Sequence, residues 1–245
     1  MVDLTRPDYS IVVPAYNEEA LLPATLERLG AVMAALPFRG EVVVCDNNST
    51  DRTGEIARAA GALVVFEPVN QISRARNTGA RAAQGLFLVF VDADTHITSG
   101  LLDEALRRLA SGGACGGGAT VVMDGAPSAL EEYFIARWNG FSRRMRLAAG
   151  SFIFVLREAF DEVGGFSEKV YASEEIWLSR DVKRWGRKRG LEFVIIEGHP
   201  VHTSGRKGVW YPPAVLFVVM LGLVLFPFLL RSRAFCWLWY RRPAA

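Results

Sequence analysis

LFLVFVDAD, residues 86–94, sets an unbroken apolar run against two aspartates one residue apart. A run of this length, opened by Gly85 and closed by a polar cluster, predicts a strand over residues 86–91 that is covered on both faces, as strands of parallel sheets are. Outward from it the same grammar recurs. Residues 10–14 (SIVVP) and 41–46 (EVVVCD) are short β-branched runs that end in turn-forming clusters, and residues 62–66 read as a further strand. Between these runs, residues 19–36, with leucines at 22, 26 and 29 on one face, residues 50–60 and residues 72–83 read as helices. Alternating strand and helix predicts an α/β fold on an open, mostly parallel sheet. Ligands of such sheets bind beyond the C-terminal ends of the strands. Here those ends carry Tyr16-Asn17-Glu18, Asp46-Asn47-Asn48 and Asp92-Ala93-Asp94.

Further along, residues 111–118 are rich in glycine but lack the GxGxxG or GxxxxGK[ST] spacing that cradles phosphate, and they read as a turn into a strand over residues 119–123. Residues 128–149 form a helical stretch mixing Tyr133, Phe134, Trp138 and Phe141 with Arg137, Arg143, Arg144 and Arg146. That mixture suits a membrane interface and an ordinary surface helix alike.

The chain's 245 residues suffice for one α/β domain plus an appendage, expected as a catalytic unit over residues 1–208 and a C-terminal segment over residues 209–245. With 28 basic against 26 acidic residues, bulk attraction to nucleic acid is excluded. Three widely spaced cysteines, Cys45, Cys115 and Cys236, offer neither a disulfide framework nor a CxxC metal site, which suits a reducing compartment. The first residues, MVDLTRPDYS, lack the pattern of a secretory signal. Near the C-terminus, residues 214–230 are an uncharged run flanked by Trp210 and Tyr211 on one side and by Trp237, Trp239 and Tyr240 on the other, with arginines beyond. Such a girdle predicts membrane contact. Gly222 and Pro227 interrupt the run and leave open whether it spans.

Two carboxylates at the end of an apolar strand are costly unless a cation compensates them, and hard oxygen ligands suit Mn²⁺ or Mg²⁺, which in turn grip diphosphate. Asp92 and Asp94 are thus candidate metal ligands, and in an extended chain His96 points to the same side as Asp94. Glu174 and Glu175 fall near a helix start, where acidic residues are favoured electrostatically and where one of them could serve as a general base.

Five segments now spell a resemblance. VVPAYNEE (12–19), VCDNNSTDRT (44–53), RARNTGARAAQG (74–85), FVDADT (90–95) and GGFSEKVYASEEIWLSRDVKRWG (164–186) resemble, in order, the motifs of the family 2 glycosyltransferases. The resemblance implies the GT-A fold and, residue by residue, a nucleotide-binding segment at Pro14, Ala15, Tyr16 and Glu18, a base contact at Asp46 and a basic residue near the phosphates at Arg76. It implies Asp92 near the ribose and metal, Asp94 as direct metal ligand, and, by similarity to dolichyl-phosphate mannose synthases, His96 as a third. The catalytic base falls at Glu175, in a slot where the family usually carries aspartate, with Glu174 beside it. HTSGRK (202–207) resembles a late segment that closes over the diphosphate, offering His202 to the metal and Arg206 and Lys207 to the phosphates.

The implied activity is a metal-dependent, inverting transfer of a sugar from a nucleotide-diphosphate donor to a hydroxyl of a lipid or glycan acceptor, at a membrane and on its cytoplasmic side. A sugar nucleotidyltransferase and a non-catalytic membrane adaptor are the rival readings. The former would want a basic, glycine-rich loop after the first strand, where PAYNEE stands.

Overall fold

The computed structural model describes residues 6–125, 129–204, 215, 218–219, 222–223 and 225–240. The elements alternate as the apolar runs predict: β1 (Tyr9–Ala15), α1 (Leu22–Ala34), β2 (Gly40–Asp46), α2 (Thr53–Ala59), β3 (Leu63–Phe66), α3 (Ile72–Ala82) and β4 (Phe87–Val91). There follow β5 (Thr95–His96), α4 (Ser99–Ala110), β6 (Ala114–Asp124), α5 (Ala129–Met145), β7 (Phe152–Leu156), α6 (Arg157–Val163), α7 (Glu174–Arg187) and β8 (Glu192–Ser204). A short final helix, α8 (Trp237–Tyr240), follows a 3-10 turn at Pro227–Arg231.

The strands lie in the order β3-β2-β1-β4-β7-β6-β8-β5. Ile11 and Val13 of β1 pack into one core layer with Leu22, Leu29 and Leu101, while Val12 packs into the opposite layer with Phe90, Phe160 and Phe166. Both faces of β1 and β4 are therefore covered, and their runs are unbroken because nearly every position along them is buried.

The sheet is mixed: most neighbouring strands run parallel, β6 and β8 among them, but two strands are reversed. Strands β3, β2, β1 and β4 run parallel, but β7 is antiparallel to both β4 and β6, and β5 is antiparallel to β8. Strand β7, FIFVL, is as uniformly apolar as β4, so its direction leaves no mark in its composition.

The glycine-rich segment is a turn only over residues 111–113, and the strand begins at Ala114, earlier than expected. Gly116, Gly117 and Gly118 sit within β6, paired with β7 on one side and β8 on the other. Their lack of side chains is what lets neighbours in: a Cβ on Gly118 would stand 2.6 Å from that of Ala148, and one on Gly117 would overlap the Val194 carbonyl and the Phe154 ring. Gly117→Ala should thus lower stability by about 1–3 kcal/mol, the cost of overpacking a dense interior, read as a lower midpoint in thermal unfolding.

Residues 214–230, of which the sequence predicts membrane contact, lie partly outside the described residues; among the described residues no helix is long and apolar enough to cross a membrane. Phe226 leaves helical geometry (φ −125°, ψ 70°) and Pro227, which has no amide hydrogen, opens a 3-10 turn instead. Leu223, Leu230 and Cys236 pack against Val170 and Ala172 of the α/β domain. The Tyr171 amide donates to the Leu230 carbonyl at 2.7 Å, so this part of the tail folds back onto the domain.

Candidate active site

The C-terminal ends of β1, β2 and β4 open onto a cavity of about 310 Å³. Its rim is built by loops locked to one another. The Asn17 amide donates to Ser49 Oγ at 3.0 Å, the Glu18 amide to Thr53 Oγ1 at 2.8 Å and the Thr50 amide to Asn17 Oδ1 at 2.8 Å, so the loops after β1 and β2 form one unit. Asn17, Asn48 and Ser173 hold left-handed backbone conformations at this rim (φ 51°, 64° and 62°), a strain that side chains other than glycine accept where surrounding contacts fix it. Ser173 immediately precedes Glu174 and Glu175, so its turn sets how α7 presents them.

Pro14, Ala15, Tyr16, Glu18, Arg76, Asp92, Asp94, Glu174 and Glu175, all singled out in the sequence, line this cavity together. Arg76 is at its centre. Its side chain, 3 % exposed, donates to Glu174 Oε1 at 2.6 Å, to Asp92 Oδ1 at 2.8 Å and to the Gly150 carbonyl at 2.8 Å. The guanidinium also lies 5.2 Å from the centre of the Phe166 ring. Glu174 is thus committed to a buried ion pair. Glu175, its neighbour, is half-buried and faces the cavity beside Gly150. Burial, and then the charge of Glu174, push the Glu175 carboxyl up to about 8 in spite of Arg76.

Asp46 does not line the cavity. Its carboxylate accepts from the Ser49 amide at 2.9 Å and closes its own turn, while Asn47 borders the cavity in its place. The Asn47 side chain is buried, donates to the carbonyls of Glu67 and Val69 at 3.1 and 2.7 Å, and accepts from the Gln71 amide at 2.9 Å. It pins the loop leading into α3, which carries Arg76. An amide that can satisfy three backbone groups at once was the signal in the sequence, since aspartate at this position could not donate.

His96 and His202 face each other across β5 and β8 and lie outside the cavity lining, flanking Asp124: His96 Nε2 is 3.7 Å and His202 Nδ1 3.3 Å from its carboxylate. Among the described residues no three of His, Cys, Asp and Glu form a group that would hold a metal. Asp92 and Asp94 are the DxD oxygens that reach the cavity, and one Asp92 oxygen binds Arg76. Hard carboxylate donors at a wet cavity wall fit Mn²⁺ or Mg²⁺, with remaining positions open to ligand oxygens. Arg206 and Lys207 lie outside the described residues.

The model of the family described as glycosyl transferase family 2 matches residues 10–164, from β1 through the end of α6. The chain belongs to this family. Within family 2, a stretch of 103 residues is 37 % identical to the uncharacterized glycosyltransferase Rv0539 of Mycobacterium tuberculosis, covering 42 % of this chain and 44 % of that one. Another, of 115 residues, is 34 % identical to undecaprenyl-phosphate 4-deoxy-4-formamido-L-arabinose transferase of Pseudomonas aeruginosa, covering 42 % of this chain and 32 % of that one. The chain thus spans less than half the length of these relatives. In three dimensions it resembles glucosyl-3-phosphoglycerate synthase of M. tuberculosis, solved with Mn²⁺, UDP and glucosyl-3-phosphoglycerate, with a TM-score of 0.61 and 20 % identity over 92 % of this chain and 80 % of that one. The likeness establishes a GT-A type of α/β fold for this family 2 chain.

Proposed function

We propose that this protein transfers a sugar from a nucleoside-diphosphate donor to a hydroxyl of a lipid or lipid-linked glycan acceptor, with inversion and with a divalent metal. The observation that carries the reading is the convergence of Asp92, Asp94, Arg76 and Glu175 on one cavity at the strand ends. A sugar nucleotidyltransferase would want a basic, glycine-rich loop after β1, and Pro14–Glu18 hold that place with a buried glutamate.

In this reading Asp94 and Asp92 hold the metal, which when bound offsets the charge of the departing diphosphate. Arg76 keeps Asp92 oriented and adds fixed positive charge beside the phosphates. Glu175 takes the proton from the acceptor hydroxyl as its oxygen attacks the anomeric carbon. The bond from that carbon to the diphosphate oxygen breaks and the nucleoside diphosphate leaves. Glu174, held by Arg76, is the less available base.

Protonated Glu175 cannot accept a proton. Its free-enzyme value of about 8 therefore means that kcat/KM rises with pH and levels off above about pH 8, where an ordinary carboxylate base would leave a flat profile from pH 6 upward. A pH–rate profile of kcat/KM checks this.

Membrane association on the cytoplasmic side belongs to the same proposal. Val218, Leu225, Phe226, Phe228 and Phe235 of the tail are exposed, an apolar patch of the kind that marks an interaction surface. The relative that acts on undecaprenyl phosphate makes a lipid phosphate the first acceptor to try, and three free, buried cysteines suit a reducing compartment.

The reading is tested by incubating the full chain with a panel of nucleotide sugars, Mn²⁺ and either undecaprenyl phosphate or membrane glycolipids. Acceptor-dependent release of nucleoside diphosphate is expected for one donor. Its absence across all pairings would sink the proposal.

A further inference from the structure

The tail places two aromatic side chains on the cavity. Trp239 and Tyr240 of α8 border it together with Asn70 and Ile72 at the start of α3 and Ser173 and Glu174 at the start of α7. The tail is tied to both of these loops. The Tyr240 hydroxyl donates to the Tyr171 carbonyl at 2.9 Å and accepts from the Ile72 amide at 3.5 Å, and the two tyrosine rings meet edge to face, 5.9 Å apart. Arg233 lies 5.2 Å from the centre of the Tyr240 ring and donates to Asn70 Oδ1 at 2.9 Å. Beneath these contacts, Leu223, Leu230 and Cys236 pack on Val170 and Ala172.

These ties join the loop that leads to Arg76 with the loop that leads to Glu174 and Glu175. Trp239 and Tyr240 are half-buried and line the cavity. With Tyr16 they supply the aromatic surface of the cavity wall. A nucleotide sugar presents a flat base and an apolar sugar face, both of which pack against aromatic rings.

We infer that α8 is a wall of the donor site, with Trp239 in contact with the bound nucleotide sugar and Tyr240 as the residue that positions it; the inference rests on the proposed use of the cavity. The tail then completes the site, whatever else its exposed apolar face touches.

Calorimetric titration of the full chain with UDP, GDP, UDP-glucose and GDP-mannose, each with Mn²⁺, tests it. For the tightest-binding probe, Trp239→Ala should raise Kd by about tenfold, the usual cost of removing one stacking ring. Trp239→Leu, which keeps apolar bulk for the tail's packing but not the ring face, should show a similar loss. Tyr240→Phe removes the two hydroxyl hydrogen bonds and keeps the ring, so donor KM should rise by a few fold with kcat unchanged. Parent-like Kd in Trp239→Leu would overturn the inference while leaving the donor reading intact. A parent chain that binds none of the four would remove both.

Discussion

Asp94→Ala should leave a folded protein whose transfer rate falls by at least about 10³-fold and whose nucleotide binding no longer responds to Mn²⁺. Asp94 lies just past β4, and the Ser204 amide donates to its backbone carbonyl at 3.2 Å, a bond that alanine keeps. The change therefore removes a carboxylate from the cavity wall without cutting that tie between β4 and β8. Asp92 remains, but Arg76 holds one of its oxygens, and a single shared carboxylate is a poor grip on a divalent ion. Transfer assayed across a Mn²⁺ titration reads both effects, and an unchanged Mn²⁺ dependence would show that the metal is held elsewhere.

The second large effect separates two adjacent glutamates. Glu175→Gln keeps size and hydrogen bonding but cannot take a proton, so turnover should fall by about 10² to 10⁴-fold while donor affinity stays close to the parent's. Glu174→Gln acts on a different quantity. It removes one anion from the buried pair with Arg76, where truncating a partner costs about 3–5 kcal/mol and an isosteric amide somewhat less. Its signature should be a lowered melting temperature and a weakened donor site. A Glu175→Gln protein that turns over at the parent rate, beside an inactive but stable Glu174→Gln protein, would exchange the two roles. Neighbours on a helix point about 100° apart, so one substitution does not reproduce the other.

The half of the fold from β1 to β4 was legible because each strand is an apolar run closed by a polar cluster, and each helix carries its leucines or alanines on one face. That grammar also located the cavity, since parallel strands deliver their C-terminal clusters to one edge. It failed where the same composition serves another purpose. Gly116–Gly118 look like a turn, yet in β6 they make room for Phe154 and Ala148. In the tail, Pro227 starts a 3-10 turn, and Leu223 and Leu230 find partners in Val170 and Ala172 that no local pattern could announce.

At the site, the residues of the polar clusters were found and their division of labour was not. Asp46 and Asn47 are adjacent, and which one faces the cavity depends on the turn that Asp46 closes on Ser49. The Arg76–Glu174 pair joins residues almost a hundred positions apart, so nothing in either segment reports that Glu174 is occupied and Glu175 exposed to the cavity. Trp239 and Tyr240 read as an interfacial girdle, and only the fold of the tail brings them to the cavity.

Metal-dependent stabilisation of the full chain by nucleotide sugars tests the account most directly. A ligand at about a hundred times its Kd adds about 2.7 kcal/mol to a protein that binds it only when folded, which for a chain of this size raises the melting temperature by about 5–10 °C. The account predicts such a rise for at least one nucleotide sugar with Mn²⁺, its loss in EDTA and its loss in Asp94→Ala. No rise with any nucleotide sugar, or an equal rise in EDTA, would contradict it.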